Sequence, residues 1–299
     1  MPARSTERLG KIEAQHINCN LCGGDDTLLV DIQNEYMMVE CRLCGLVYVD
    51  PQPSAGHLKV LYDSYHEREG KNGETWQRLM ASNFSEAACT LDYMLPDRGK
   101  ILDIGCGYGH FIEMMRDRGW TASGIEPSEA AGKYAIARGL DVGRTVIEDA
   151  SIQDDSFDAV TAFYVLEHLT DPLAALKKMR EILRPGGVLV LRVPHTTPLV
   201  KALRLARIEN NLYDLPFHLY DFSPATIKSM LTKAGFTDIE ISPGQPTCPP
   251  AMAERLAALF SGNTARLLHY VSGGRILLPG VSKTAICRKH SEAKGQARA

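Results

Sequence analysis

An α/β fold, built on a mostly parallel sheet with helices on both faces, is what most of this 299-residue chain predicts. From Gly99 onward, short apolar segments alternate with helical patterns that open on capping residues or close on glycines. The apolar segments run nearly unbroken, as strands covered on both sides must. Ahead of them, two Cys-x-x-Cys turns set off a small module of different texture.

Residues 1–15 read as a polar tail and 16–52 as short strand-like pieces around the cysteine turns. Residues 53–95 carry helical patterns, in HLKVLYDSY and from Trp76 to Tyr93. KILDI predicts a strand and HFIEMMRDRG a helix that Gly119 ends. WTASGIE is the next strand, after which Ser128 caps a helix closing at Gly139. FDAVTAFYV reads as a buried strand. Asp171 is an N-cap with Pro172 at the first helical position, and that helix runs to about Leu183. Beyond a turn at Arg184-Pro185-Gly186-Gly187, VLVLRV is a strand. Ser223-Pro224 opens a helix to Gly235, and FTDIEIS and SKTAICRK close the sheet. The domain so drawn covers 96–290, and 291–299 is a tail. Residues 195–222 and 244–281 fall outside the alternation, as insertions expected to cover a substrate beyond the carboxyl ends of the strands.

Composition excludes several classes. With 44 % hydrophobic and 23 % charged residues the chain is ordinary globular material. Thirty-three basic and thirty-six acidic residues leave a net charge of −3, so no overall positive field recruits nucleic acid. No run approaches a membrane span. The start, MPARSTERLGKIEAQ, is charged where a signal peptide is apolar, which points to the cytoplasm. Eight cysteines are too few for a disulfide scaffold of this size.

The pairs Cys19-x-x-Cys22 and Cys41-x-x-Cys44, each followed by glycine (Gly23, Gly45), are separated by 18 intervening residues. Two such turns offer four thiolates at tetrahedral geometry, the closed arrangement of structural Zn²⁺; two redox or merely buried pairs are the alternative. A four-thiolate site keeps no open position, so the expected role is to fold a segment too small for its own core. Between His16 and Asp50 the only Lys or Arg is Arg42, against Asp25, Asp26, Asp31, Glu35, Glu40 and Asp50. An acidic ribbon of this kind does not suit phosphate binding, and no nucleic-acid partner is expected.

The segment from Ile101 to Gly109 is a strand entering a loop with glycine at every second position. A dinucleotide fingerprint reads G-x-G-x-x-G; this loop reads D-x-G-x-G-x-G. Its carboxylate, Asp103, repels a pyrophosphate and welcomes an ammonium or sulfonium. Glu126, at the end of the next strand, suits the two hydroxyls of a ribose.

These residues carry a resemblance. ILDIGCGYGHF, GIEPS, DDSFDAV and LEHLTDP look like class I S-adenosylmethionine-dependent methyltransferases, and LRPGGVLVLRVP is similar to that family's turn into its fifth strand. The likeness is close over 100–193 and extends through PFHLYDFSPATIKSMLTKAGF. The ribbon running into CGLVYVDPQPS, with LYDSY after it, resembles a bacterial subgroup associated with glycan, lipid and natural-product methylation. The core resembles ubiquinone-type O-methyltransferases. The resemblance implies a Rossmann-like, doubly wound seven-stranded sheet and S-adenosylmethionine as methyl donor. It places Asp103, Gly105 and Gly107 at the methionine part, Glu126 at the ribose and Asp149-Ala150 at the adenine. The 53–95 region becomes a cofactor cap, with Tyr62 and Tyr65 over the methionine end or simply packed on the core.

Methyl transfer needs a nucleophile held in line at the sulfonium carbon and, for a hydroxyl, a group to take its proton. Tyr164, Glu167 and His168 follow the fourth strand, His195 the fifth. His218 is the first choice of base, in a loop of mixed aromatic and polar residues. Each histidine also has a structural reading. Cys106 reads as a buried filler, Asp158 as structural, and Cys89, Cys248 and Cys287 as ordinary. The expected acceptor is a small molecule, a sugar or a lipid-linked group, with O-methylation favoured. RNA base methylation and cofactor binding without turnover are the rivals. In 199–209, Leu199, Ala202, Leu203 and Ala206 share one helical face, and Lys201, Arg204 and Arg207 form a basic stripe, read either as a solvated face of a lid helix or as a contact for an anionic acceptor or, weakly, a membrane.

Overall fold

The structure, a computed structural model, describes residues 14–33, 36–54, 56, 58, 73–247, 249, 251–278 and 281–290. The ribbon region holds β1 (Ala14–Gln15), β2 (Thr27–Gln33), β3 (Tyr36–Cys41), β4 (Val47–Val49) and β5 (Gln52–Pro53). There follow α1 (Gly73–Met94), β6 (Lys100–Ile104), α2 (His110–Asp117), β7 (Thr121–Ile125), α3 (Glu129–Ala137), β8 (Asp141–Gly143) and β9 (Phe157–Phe163). After a 3₁₀ turn at Leu166–His168 come α4 (Pro172–Ile182), β10 (Leu183–Val193), α5 (Thr197–Leu205), β11 (Tyr220–Asp221) and α6 (Pro224–Lys233). The chain closes with β12 (Phe236–Pro243), α7 (Met252–Val271) and β13 (Lys283–Lys289).

Seven strands form the main sheet in the order β12-β13-β10-β9-β6-β7-β8. Pairing is parallel from β10 to β8, and β13 runs antiparallel to both its neighbours. The strand period of two sorts β10 cleanly. Val188 and Val190 join Met80, Phe84, Ala87 and Leu91 of α1 on one face. Leu189 and Leu191 join Leu176 and Met179 of α4 and Ile227 and Met230 of α6 on the other. Each such buried side chain contributes about 1.5–3 kcal/mol, which is why these strands read as unbroken apolar runs. The expected Arg184–Gly187 turn appears as a bulge within β10, between Leu183 and Val188. Asp158 is structural as expected, accepting from Lys100 N–H at 2.7 Å and from Arg184.

The ribbon and the first insertion, which the sequence sets apart, share one sheet of order β11-β4-β3-β2. Tyr220 pairs with Tyr48, their rings stacked 6.3 Å apart and fully buried. β11 thus covers what would otherwise be an open ribbon edge. Asn20 clasps the start of α4, its Nδ2 donating to Asp171 at 2.8 Å and its Oδ1 accepting from Leu173 N–H at 3.0 Å. Lys233 donates to Leu21 carbonyl at 2.5 Å.

The basic stripe is a correction. The helix ends at Leu205, and Arg207 beyond it adopts φ 56°. Thr197 and Val200 are its buried residues, while Leu199 is 39 % exposed and Ala202 and Ala206 are exposed. Lys201 pairs with Glu40 on β3 and Arg204 donates to Val30 carbonyl on β2. The acidic ribbon thus holds two of the three stripe cations, which leaves neither the solvated face nor the acceptor contact intact. No described helix is long and apolar enough to cross a membrane.

Candidate active site

The chain runs β6, β7, β8 outward and then returns to β9 on the other side of β6, so the topological switch point lies at the carboxyl end of β6. Open α/β sheets bind ligands at that crevice. Asp103 sits there, 4 % exposed, opposite Thr161 of β9, whose hydroxyl donates to it at 2.6 Å. Burial pushes the Asp103 carboxyl up to about 7, against the Thr161 hydrogen bond and with help from the Glu126 charge.

The three loop glycines have different reasons. A Cβ on Gly105 would stand 2.6 Å from Val165 Cγ2, and one on Gly109 2.4 Å from Leu140 Cδ1. Both are packing glycines. Gly107, at φ 54°, would carry a Cβ into open space, with no protein atom of the described residues within 4 Å. Glu126, buried at the end of β7, accepts from Gly107 N–H and Ser128 N–H, each at 2.8 Å. Burial raises its pKa and these two amides oppose the rise. Each carboxylate oxygen keeps a further lone pair. Ser128 caps α3. Ala150 is buried and Asp149 exposed in the stretch after β8. Tyr62, Tyr65, Cys248, the 291–299 tail and most of the 1–15 tail lie outside the described residues.

Past β9 the candidate bases separate into two groups. His168 and His218 stand together, ring centroids 4.8 Å apart and edge to face. His168 Nδ1 lies 2.9 Å from Phe217 carbonyl. A carbonyl only accepts, so Nδ1 carries a proton. Glu167, fully buried beside them, has no hydrogen-bond partner on either oxygen among the described residues, and burial pushes it up to about 8. One ligand-type atom from each of the three lies within 4.8 Å of the others. Tyr164 belongs elsewhere. Its hydroxyl donates to Ser282 at 2.9 Å and accepts from Arg192 Nε at 2.8 Å, beneath the Arg192 guanidinium. That engagement suits positioning, not proton removal, and the left-handed backbone at φ 58° fixes it further. His195 is buried at the end of β10; burial holds its pKa low, Asp221 opposing and Lys283 reinforcing.

A methyltransferase-domain model matches residues 72–241, more than half of the chain. The chain belongs to this methyltransferase-domain family. S-adenosylmethionine is the methyl donor of these enzymes. A ubiquinone biosynthesis O-methyltransferase of Xanthomonas axonopodis pv. citri is 34 % identical over 158 residues, 49 % of this chain and 66 % of that protein. One from Actinobacillus pleuropneumoniae is 35 % identical over 41 % of this chain and 57 % of its own length. The chain therefore spans less than two thirds of these relatives. Two solved structures share the fold. One is a Thermotoga maritima methyltransferase described as a possible histamine N-methyltransferase, at TM-score 0.52, 19 % identity, 78 % of this chain and 100 % of that one. The other is the Haemonchus contortus phosphoethanolamine N-methyltransferase 2 with S-adenosylmethionine, at TM-score 0.53, 15 % identity, 82 % of this chain and 63 % of that one.

Ahead of the matched domain, the ribbon cysteines converge. Cys19 Sγ and Cys44 Sγ are 3.5 Å apart, Cys22 Sγ and Cys41 Sγ 3.4 Å, and all four sulfurs lie within 4.8 Å. Zn–S bonds of about 2.3 Å at tetrahedral angles put sulfurs roughly 3.8 Å apart, so the four residues fit a zinc ion. Gly23 and Gly45 follow each turn at φ 81° and 76°. Two buried polar residues of the methyltransferase domain are not singled out by the sequence. Thr161 lies within the buried strand FDAVTAFYV, where a lone polar residue is the usable signal. His110 lies buried near Gly73 at the start of α1, and burial holds its pKa low.

Proposed function

We propose that this protein transfers a methyl group from S-adenosylmethionine to a hydroxyl of a small molecule, free or carried on a sugar or lipid, in the cytoplasm. The observation that carries the reading is the crevice at the end of β6. A buried carboxyl, an open glycine backbone and a clamped second acid meet there. When bound, S-adenosylmethionine supplies an electrophilic methyl on a sulfonium. Asp103 would hold the α-amine, the Gly105–Gly107 backbone would line the methionine part, and the spare lone pairs of Glu126 would accept the ribose hydroxyls. Asp149-Ala150 would flank the adenine, and Tyr65 would close the methionine end. His168 takes the acceptor's proton at Nε2, with His218 beside it and Tyr164 holding the pocket wall through Arg192 and Ser282. Zinc would be structural, held by Cys19, Cys22, Cys41 and Cys44. The acidic ribbon weighs against an RNA acceptor.

Calorimetry tests the reading. Losing a buried polar contact costs about 1–3 kcal/mol, so Asp103→Ala and Glu126→Ala should each bind S-adenosylmethionine some 5- to 150-fold more weakly. Unchanged affinity in both, or tighter binding of NAD, would overturn it.

A further inference from the structure

The second insertion leaves an apolar face without cover among the described residues. Along α7, Met252, Leu256, Phe260, Leu267 and Val271 are 59–76 % exposed. Their spacings of four, four, seven and four residues put them on one side of the helix. The other side is anchored. Ala265 is fully buried, Arg266 pairs with Glu86 of α1 at 3.3 Å, and a Cβ on Gly262 would stand 2.7 Å from Pro246 Cβ. The helix cannot roll its apolar side inward without breaking those contacts.

Two properties decide what fits that face. A 20-residue helix is about 30 Å long, and a stripe about 10 Å wide along it offers roughly 300 Å². Stable protein partners bury about 800 Å² each, so a second copy gains too little from this stripe. Charge gives the other half. Residues 251–278 hold Arg255, Arg266 and Arg275 against Glu254 alone; with Arg266 held by Glu86, Arg255 and Arg275 still outnumber the one acid within a chain of −3. Arg255 and Arg275 are exposed, with Ile276 exposed next to Arg275. A cationic helix with an apolar side is the form that lies in a bilayer interface. Lys283, where the insertion returns, pairs with both Val193 and Pro243. The insertion therefore springs from the edge of the sheet where β6 ends in the glycine loop.

We propose that α7 docks this protein on an anionic phospholipid surface, with the Met252–Val271 stripe in the headgroup–acyl boundary and Arg255 and Arg275 on lipid phosphates. The docking is independent of the acceptor's identity. Flotation of the full chain with phosphatidylglycerol–phosphatidylcholine vesicles and with phosphatidylcholine vesicles tests it. The expected result is partitioning into the anionic vesicles that weakens at least tenfold in the triple variant Leu256→Glu, Phe260→Glu, Leu267→Glu, with far-UV circular dichroism and melting unchanged. Arg255→Glu with Arg275→Glu should remove the preference for anionic vesicles and serves should the triple variant misfold. No partitioning of the parent, or partitioning that both variants retain, overturns the proposal. So does a concentration-dependent dimer in light scattering that the triple variant dissociates.

Discussion

Asp103 makes cofactor binding a titration. Its carboxyl is raised to about 7 because burial penalises the charge, while an ammonium in the crevice would favour the charged form. The free protein at pH 6 thus carries the carboxylate in only about one molecule in eleven, and at pH 7 in about half. Affinity for S-adenosylmethionine should rise about fivefold between pH 6 and pH 7, a range where an ordinary aspartate is fully ionised. Binding should also release a proton, close to half per site at pH 7, readable as a buffer-dependent enthalpy in calorimetry. The sign for folding is opposite. A carboxyl whose folded pKa lies above its unfolded value binds more protons when folded, so the free protein should lose stability as pH rises from about 4 to 7. Asp103→Asn removes both effects and leaves a weaker, pH-flat affinity. The reasoning fails if the parent binds equally at pH 6 and 7, or if the slope survives in Asp103→Asn.

The glycine loop can be dissected by two substitutions with different signatures. Gly105→Ala meets Val165 and should lower the melting temperature by several degrees, whereas Gly107→Ala meets nothing in the protein and should weaken cofactor binding with a smaller melting shift. Equal melting losses in both would show that Gly107 does not face the ligand. For the ribbon, metal analysis should return one zinc per chain, and Cys41→Ser should lose it and melt earlier; zinc-free protein with parental stability would contradict the structural role. His168→Asn should lower kcat by about 10²–10⁴ with cofactor affinity unchanged, once an acceptor is found, and a parental kcat would remove it as the base.

What the sequence discloses here is what neighbours along the chain decide. Asp171-Pro172, Ser128 and Ser223-Pro224 announce their helices because a cap acts on the first turn that follows it, and all three side chains accept from that turn. The cysteine turns and the glycine loop are legible for the same reason. Pairings across long separations are not. Nothing near Tyr220 says that its partner is Tyr48, and nothing in LVKALRLARIE says that Glu40 and Val30 await its cations. A helical wheel sorts residues by angle but cannot tell solvent from a neighbouring sheet. The partners of Tyr164 are hidden in the same way, since Arg192 and Ser282, which occupy its hydroxyl, lie on other strands and loops.

The shared sheet of the ribbon and β11 bears on how such proteins can be recombined. A recombinant made by exchanging residues 14–54 alone would strand Tyr220 without its stacking partner, and Asn20 would leave the α4 terminus half capped. The heritable unit is discontinuous, with 14–54 and 195–222 travelling together. Moving the ribbon alone would therefore break a strand pairing that spans 172 positions of sequence, Tyr48 to Tyr220, which makes the ribbon a poor cassette for grafting.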